Sequence, residues 1–213
     1  MIDASLVADR VAALRTELRS IAGREVAIVA VTKSLGRDAI DAAASAGCDA
    51  VGENYAQEVL SKVADAPLPL PLHFIGAIQS NKVRQLAPHV ALWQGVERDS
   101  VVDEIARRAP GAGILLQVNT TGEGSKSGLA PADAGRMCER ALGAGLDVRG
   151  LMTIGPTNGS AREIRAAFGS LRALADDLGL VECSMGMSAD WRIAAECGST
   201  MVRIGTMLFG PRR

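Results

Sequence analysis

Val26-Ala27-Ile28-Val29-Ala30-Val31-Thr32-Lys33 decides how this chain is read: six small or β-branched apolar residues in a row, then a threonine and a lysine. An unbroken apolar run of that kind reads as a strand buried on both faces, as in parallel sheets. Lys33 then stands at the strand's carboxyl end, where α/β proteins gather their ligand-binding loops. A lysine there has an option closed to arginine, because its amine can lose a proton when desolvated and add to a carbonyl, whereas guanidinium stays charged. Of the 23 basic residues only Lys33, Lys62, Lys82 and Lys126 are lysines, so arginine is this chain's ordinary cation. The plainer alternative is a strand-end lysine whose ammonium snorkels to water.

Working outward, Leu6, Val7, Val11, Leu14, Leu18 and Ile21 recur at helical spacing, so residues Asp3 to Ser20 read as an amphipathic leading helix. After Lys33 the pattern alternates. Helices are expected over Gly36–Ala46, Tyr55–Ala64, Ser80–Leu86, Asp99–Arg108, Pro131–Leu142, Ala161–Asp177 and Ala189–Glu196. Strands are expected over Asp49–Gly52, Leu72–Gly76, Ala91–Val96, Gly113–Asn119, Asp147–Met152, Val181–Met185 and Met201–Gly205. Gly47 and Gly179 are read as helix stops, Asp99 as a helix cap, and Pro131 as a first-turn proline. Eight strands alternating with helices fit a closed (β/α)8 TIM barrel better than an open doubly wound sheet.

Bulk properties narrow the function. A length of 213 residues suits one such barrel, and a single domain over 1–213 is expected. A net charge of -1 argues against a nucleic-acid surface, and no 18 apolar residues run together, so no membrane span is expected. The start, Met1-Ile2-Asp3-Ala4-Ser5-Leu6, carries no secretory pattern. Cys48, Cys138, Cys183 and Cys197 form no C-x-x-C pair, which reads as reduced thiols in a cytoplasmic protein and not as a metal site.

In a barrel, function lies in the loops that follow the strands. Asn54, in Gly52-Glu53-Asn54-Tyr55, is read either as a helix cap or as a ligand contact. Ser80 is read as a cap, Lys82 as solvated, and His73 as a hydrogen-bonded core residue. The stretch Thr121-Gly122-Glu123-Gly124-Ser125-Lys126-Ser127-Gly128 fails the P-loop pattern, because serine and not glycine precedes the lysine. Gly186-Met187-Ser188 and Gly205-Thr206 place small residues at the last two strand ends, the usual phosphate site of barrels. Arg203 breaks an apolar strand and needs an acceptor, either a carboxylate or a ligand.

These residues resemble a known family, the YggS/PROSC group of pyridoxal phosphate homeostasis proteins. The matching motifs are Val29-Ala30-Val31-Thr32-Lys33, Gly52-Glu53-Asn54-Tyr55-Ala56-Gln57-Glu58, His73-Phe74-Ile75-Gly76-Ala77-Ile78-Gln79-Ser80-Asn81-Lys82, Ser125-Lys126-Ser127-Gly128, Gly150-Leu151-Met152, Ser184-Met185-Gly186-Met187-Ser188-Ala189-Asp190, and Gly198-Ser199-Thr200-Met201-Val202-Arg203-Ile204-Gly205-Thr206. The resemblance implies an alanine racemase N-terminal-type barrel with an extra N-terminal helix and pyridoxal phosphate as cofactor. It implies Lys33 as the covalent aldimine lysine and Arg203 as partner of the pyridine nitrogen. Ser188, Gly205 and Thr206, with the backbone near Met187, become the phosphate cradle, and Asn54 the residue beside the ring. It further implies a monomer with no catalytic residue, which buffers the cofactor and passes it transiently to apoenzymes. Racemisation needs two bases flanking the cofactor, and Tyr55 is the one tyrosine available. The alternative is a weak amino-acid racemase or another Schiff-base enzyme. This chain departs from the family pattern in lacking the tryptophan often found just before His73.

Overall fold

The structure, a computed structural model, describes residues 2–211; Met1, Arg212 and Arg213, the ends of the expected 1–213 domain, lie outside the described residues. Eight parallel strands close into a barrel in sequence order. They are β1 (Ala27–Val31), β2 (Ala50–Glu53), β3 (Leu72–Phe74), β4 (Val90–Val96), β5 (Gly113–Gln117), β6 (Asp147–Met152), β7 (Glu182–Ser184) and β8 (Met201–Ile204). Closure is made by β1 lying against both β2 and β8, with Val29 opposite Ala50 on one side and Arg203 on the other.

The helices are α1 (Ala4–Ala22), α2 (Arg37–Ser45), α3 (Ala56–Val63), α4 (Ser80–Leu86), α5 (Asp99–Arg108), α6 (Ala134–Gly143), α7 (Ala161–Asp177), α8 (Trp191–Glu196) and α9 (Thr206–Phe209). The expected (β/α)8 class and the leading helix are both present. Among the described residues β8 is followed only by the four-residue α9, and the ring of outer helices has a gap between α8 and α2. Helix α1 fills it, packing on α2, α8 and α9, and Arg10 donates to the Leu208 carbonyl at 2.7 Å. The core has two layers. Val29, Ala50, Leu92, Leu115, Met152 and Met201 fill the barrel interior, and a larger apolar shell joins the outside of the strands to the helices.

Several boundaries shift for physical reasons. β1 ends at Val31; the Thr32 N–H still donates to the Gly52 carbonyl at 3.1 Å, but its own carbonyl is taken by Lys62 Nζ at 2.8 Å. Asp99 and Ser80 are first helical residues and not caps; Asp99 instead pairs across to Arg136 and Arg140, at 3.5 and 3.3 Å. Pro131 opens a 3-10 turn, Pro131–Asp133, before α6 begins. The stops at Gly47 and Gly179 have φ of 80° and 66°, the left-handed geometry that glycine adopts without strain. All four cysteines are free. Among the described residues no helix is long and apolar enough to cross a membrane.

Candidate functional site

Lys33, Asn54, Met187, Ser188, Gly205 and Thr206 all follow carboxyl ends of strands, so the barrel gathers them at one mouth, with Arg203 inside the wall beside β1. Lys33 is half-buried in the turn after β1.

Arg203 is 4% exposed. Its guanidinium donates to Ser184 Oγ and to the Thr153 carbonyl, each at 2.7 Å, and both acceptors are neutral. Burial pulls its pKa down to about 10, with the carboxylate of Asp190 opposing the fall. Ser184 in turn donates to Gln94 Oε1 at 2.7 Å, and Gln94 Nε2 lies 2.9 Å from His73 Nδ1. The polarity of this chain follows from its first member. A guanidinium only donates, so Ser184 accepts from it and gives its own proton to Gln94. That orients the Gln94 amide to donate to His73, which must then be neutral at Nδ1. Burial, with Arg149 adding to it, pulls the His73 pKa down to about 4, in keeping with that role. His73 is thus hydrogen-bonded as expected, but it is half-buried and not a core residue.

Across the mouth, Ser188 Oγ accepts from the Met207 N–H at 3.2 Å, tying the loop after β7 to the start of α9. The Met187 N–H donates to Asp190 Oδ1 at 2.6 Å, so the loop is braced from within and that amide is already engaged. Burial raises the Asp190 carboxyl, while the Met187 amide and Arg203 pull it back. Gly186 has φ of 97°, and a Cβ there would lie 2.6 Å from that of Ala194; only glycine lets the loop pass this close to α8.

Of the two readings of Asn54, geometry excludes the helix cap. Tyr55 stands at the N-cap of α3 and no side chain caps that helix, while Asn54 Oδ1 is buried without a hydrogen-bond partner. A buried acceptor left open in a strand-end loop is what a ligand site offers. Gly76 makes the placement possible, because a Cβ there would lie 2.2 Å from the Asn54 carbonyl oxygen. A cleft of about 500 Å³ lies over β2 and β3 and is lined by Asn54, Tyr55, Gly76 and Lys82 among others. It shares Asn54 with the predicted site but is not lined by Lys33 or Arg203. Tyr55 is 54% exposed.

Sequence reasoning missed the supports: Thr32, Glu53 and Lys62 behind Lys33, and Ser184, Gln94 and Asp190 around Arg203. One signal for the first group was readable. Val59 and Lys62 are one turn apart on α3 and are its two buried residues, so a lysine stands on that helix's apolar face. Lys126, left over from the glycine-rich loop, is a staple, reaching Glu123 Oε1 at 2.9 Å and the Gly155 carbonyl at 2.5 Å.

The chain, a closed parallel barrel, belongs to the alanine racemase N-terminal domain family, whose model matches residues 2–213. More narrowly, the chain belongs to the family of pyridoxal phosphate homeostasis proteins. It is 42% identical to the protein of that name from Pseudomonas aeruginosa, over 95% of this chain and 93% of the relative. It is 34% identical to the one from Schizosaccharomyces pombe, over 93% and 90%. Among solved structures, PipY of Synechococcus elongatus PCC7942 with PLP bound is similar at a TM-score of 0.85 and 33% identity, covering 96% of this chain and 100% of that one. Alanine racemase from Clostridium difficile 630 shares the fold at a TM-score of 0.79 and 14% identity, covering 96% of this chain and 57% of the racemase.

Proposed function

We propose that this chain binds pyridoxal phosphate at the carboxyl mouth of its barrel, held covalently through Lys33, and buffers the cofactor for delivery to apoenzymes without turning over a substrate. Arg203 carries the reading. A buried cation whose bonds go only to neutral oxygens has charge to spare for an acceptor on a ligand, and a pyridine nitrogen is such an acceptor. The open Asn54 oxygen and the loops after β7 and β8, tied together through Ser188 and Met207, supply a polar flank and a phosphate cradle with Gly205 and Thr206. The relatives named for pyridoxal phosphate homeostasis, and PipY with PLP bound, support the choice of ligand.

When bound, the cofactor supplies an aldehyde as electrophile and an aromatic ring as electron sink. Here Lys33 would hold the aldehyde carbon, and the Arg203 guanidinium would disfavour a proton on the ring nitrogen. That weakens the sink and suits storage better than carbanion chemistry. A racemase also needs bases on two faces of its substrate, and Tyr55, exposed at the start of α3, is poorly placed for one of them. We further propose a single-domain, monomeric, cytoplasmic protein.

Borohydride reduction after incubation with pyridoxal phosphate, followed by peptide mass mapping, should place the adduct on Lys33, and Lys33→Ala should abolish it. Retention of the adduct elsewhere in Lys33→Ala overturns the assignment. Alanine or serine incubated with the loaded protein in heavy water should keep its α-hydrogen; exchange at a useful rate would favour the racemase reading.

A further inference from the structure

One buried ammonium holds the residues on either side of Lys33. Thr32, just before it, donates its hydroxyl to Glu53 Oε1 at 2.6 Å, and its carbonyl accepts from Lys62 Nζ at 2.8 Å. Ser34, just after it, donates its backbone N–H to Glu58 Oε2 at 2.7 Å. Lys62 Nζ also reaches both carboxylates, Glu53 Oε1 at 2.6 Å and Glu58 Oε2 at 3.5 Å. The Lys62 and Glu53 side chains are 8% and 0% exposed. Ser34 adopts φ of 61°, a left-handed conformation that disfavours any residue but glycine and persists where surrounding bonds impose it.

We propose that Lys62, acting with Glu53 and Glu58, is a positioning residue. It fixes the backbone from which the Lys33 side chain springs and so sets how readily that amine captures the cofactor aldehyde. This rests on the reading that Lys33 is the cofactor lysine. In the capture the neutral amine adds to the aldehyde carbon, a carbon–nitrogen double bond replaces the carbonyl, and the oxygen leaves as water with both amine protons. The lysine stem has four rotatable bonds, so its useful geometry depends on the direction in which the backbone launches it.

A simpler role as fold cement fits the cluster less well. Buried ion pairs are poor stabilisers against apolar isosteres. Glu53 Oε2 is moreover buried with no hydrogen-bond partner, a cost that a cluster serving stability alone would avoid. The bonds also converge on the two residues that flank Lys33.

Two variants test this. Glu58→Ala removes the Ser34 acceptor from a side chain that is 30% exposed and leaves the Lys62–Glu53 pair intact. Lys62→Met combined with Glu53→Gln removes the buried charges together and leaves no lone carboxylate. Each variant, with its melting curve recorded, is titrated with pyridoxal phosphate and with pyridoxine phosphate, which carries an alcohol in place of the aldehyde. Positioning predicts pyridoxal phosphate binding and borohydride-trapped Lys33 adduct weakened about tenfold in the double variant and about threefold in Glu58→Ala. Pyridoxine phosphate affinity should stay within about twofold of wild type. Equal loss of both ligands, or unaltered capture in folded variants, overturns the inference. Wild-type protein that binds both phosphates yet yields no Lys33 adduct is the distinct result that overturns the proposed function, and the inference with it.

Discussion

The barrel mouth is supported by two buried cations that are treated in opposite ways. Lys62, behind β1 and β2, is met by the carboxylate of Glu53 at 2.6 Å; Arg203, in β8, is met only by a hydroxyl and a carbonyl. The difference separates scaffolding from ligand binding. Where the protein supplies the counter-charge, the cation is satisfied before any ligand arrives, and its work is to hold backbone. Where it supplies only neutral hydrogen-bond acceptors, with the Asp190 carboxylate acting without a bond, electrostatic demand is left over at the site.

The comparison can be broken most forcefully at Lys62. Truncation to alanine strands the Glu53 carboxylate in the interior, and unfolding in urea should show a loss of about 3 kcal/mol. The loss should not run higher, because burial already raises the Glu53 pKa and the group can take up a proton once the ammonium is gone.

Acid should attack the Arg203 side next. His73 is pulled down from 6.5 to about 4 in the folded protein, so between those values the unfolded chain binds the proton more readily. Stability contributed by neutral His73 is therefore present above pH 6.5 and lost as pH falls towards 4, by at most about 3 kcal/mol. Denaturation curves for His73→Gln subtracted from wild type over that range should isolate the slope. A flat difference would break the inferred polarity of the chain from Arg203 to His73.

Arg203→Gln sharpens the contrast, because a glutamine keeps a donor but removes a charge whose hydrogen bonds go only to neutral acceptors. Unfolding free energy of the ligand-free protein should fall by only about 1 kcal/mol, while pyridoxal phosphate affinity drops about tenfold. A large stability loss with unchanged affinity would reverse the roles given to the two cations. The smallest effect supplies the yardstick. Ser160 caps α7 in a reciprocal box with Glu163, and Ser160→Ala should cost about 1 kcal/mol without touching ligand binding.

Much of the site was legible because its chemistry coincides with breaks in pattern. Lys33 ends an apolar run, Arg203 interrupts one, and the glycines at 186 and 205 sit where strands stop. Asn54 was legible as a position but not as a role. Cap and ligand contact have the same spacing, and only the absence of a cap bond separates them. Asp99 fails in the opposite sense, since its sequence context promises a cap but arginines on the next helix compete for the carboxylate. Glu53 and Lys62 escaped because their pairing spans a strand end and a helix, which no local spacing rule describes.

By itself the sequence determined the alternation of strands and helices, hence the barrel, and the lysine and arginine placed at its mouth, because burial and period are local properties that composition records directly. Only the tertiary structure decided which polar groups meet: that Glu53 neutralises Lys62, that Asp190 holds the Met187 amide, and that Arg203 is left facing neutral oxygens. Hydrogen bonds and ion pairs depend on distances of a few ångströms between residues remote in the chain, and closure of the barrel sets those distances.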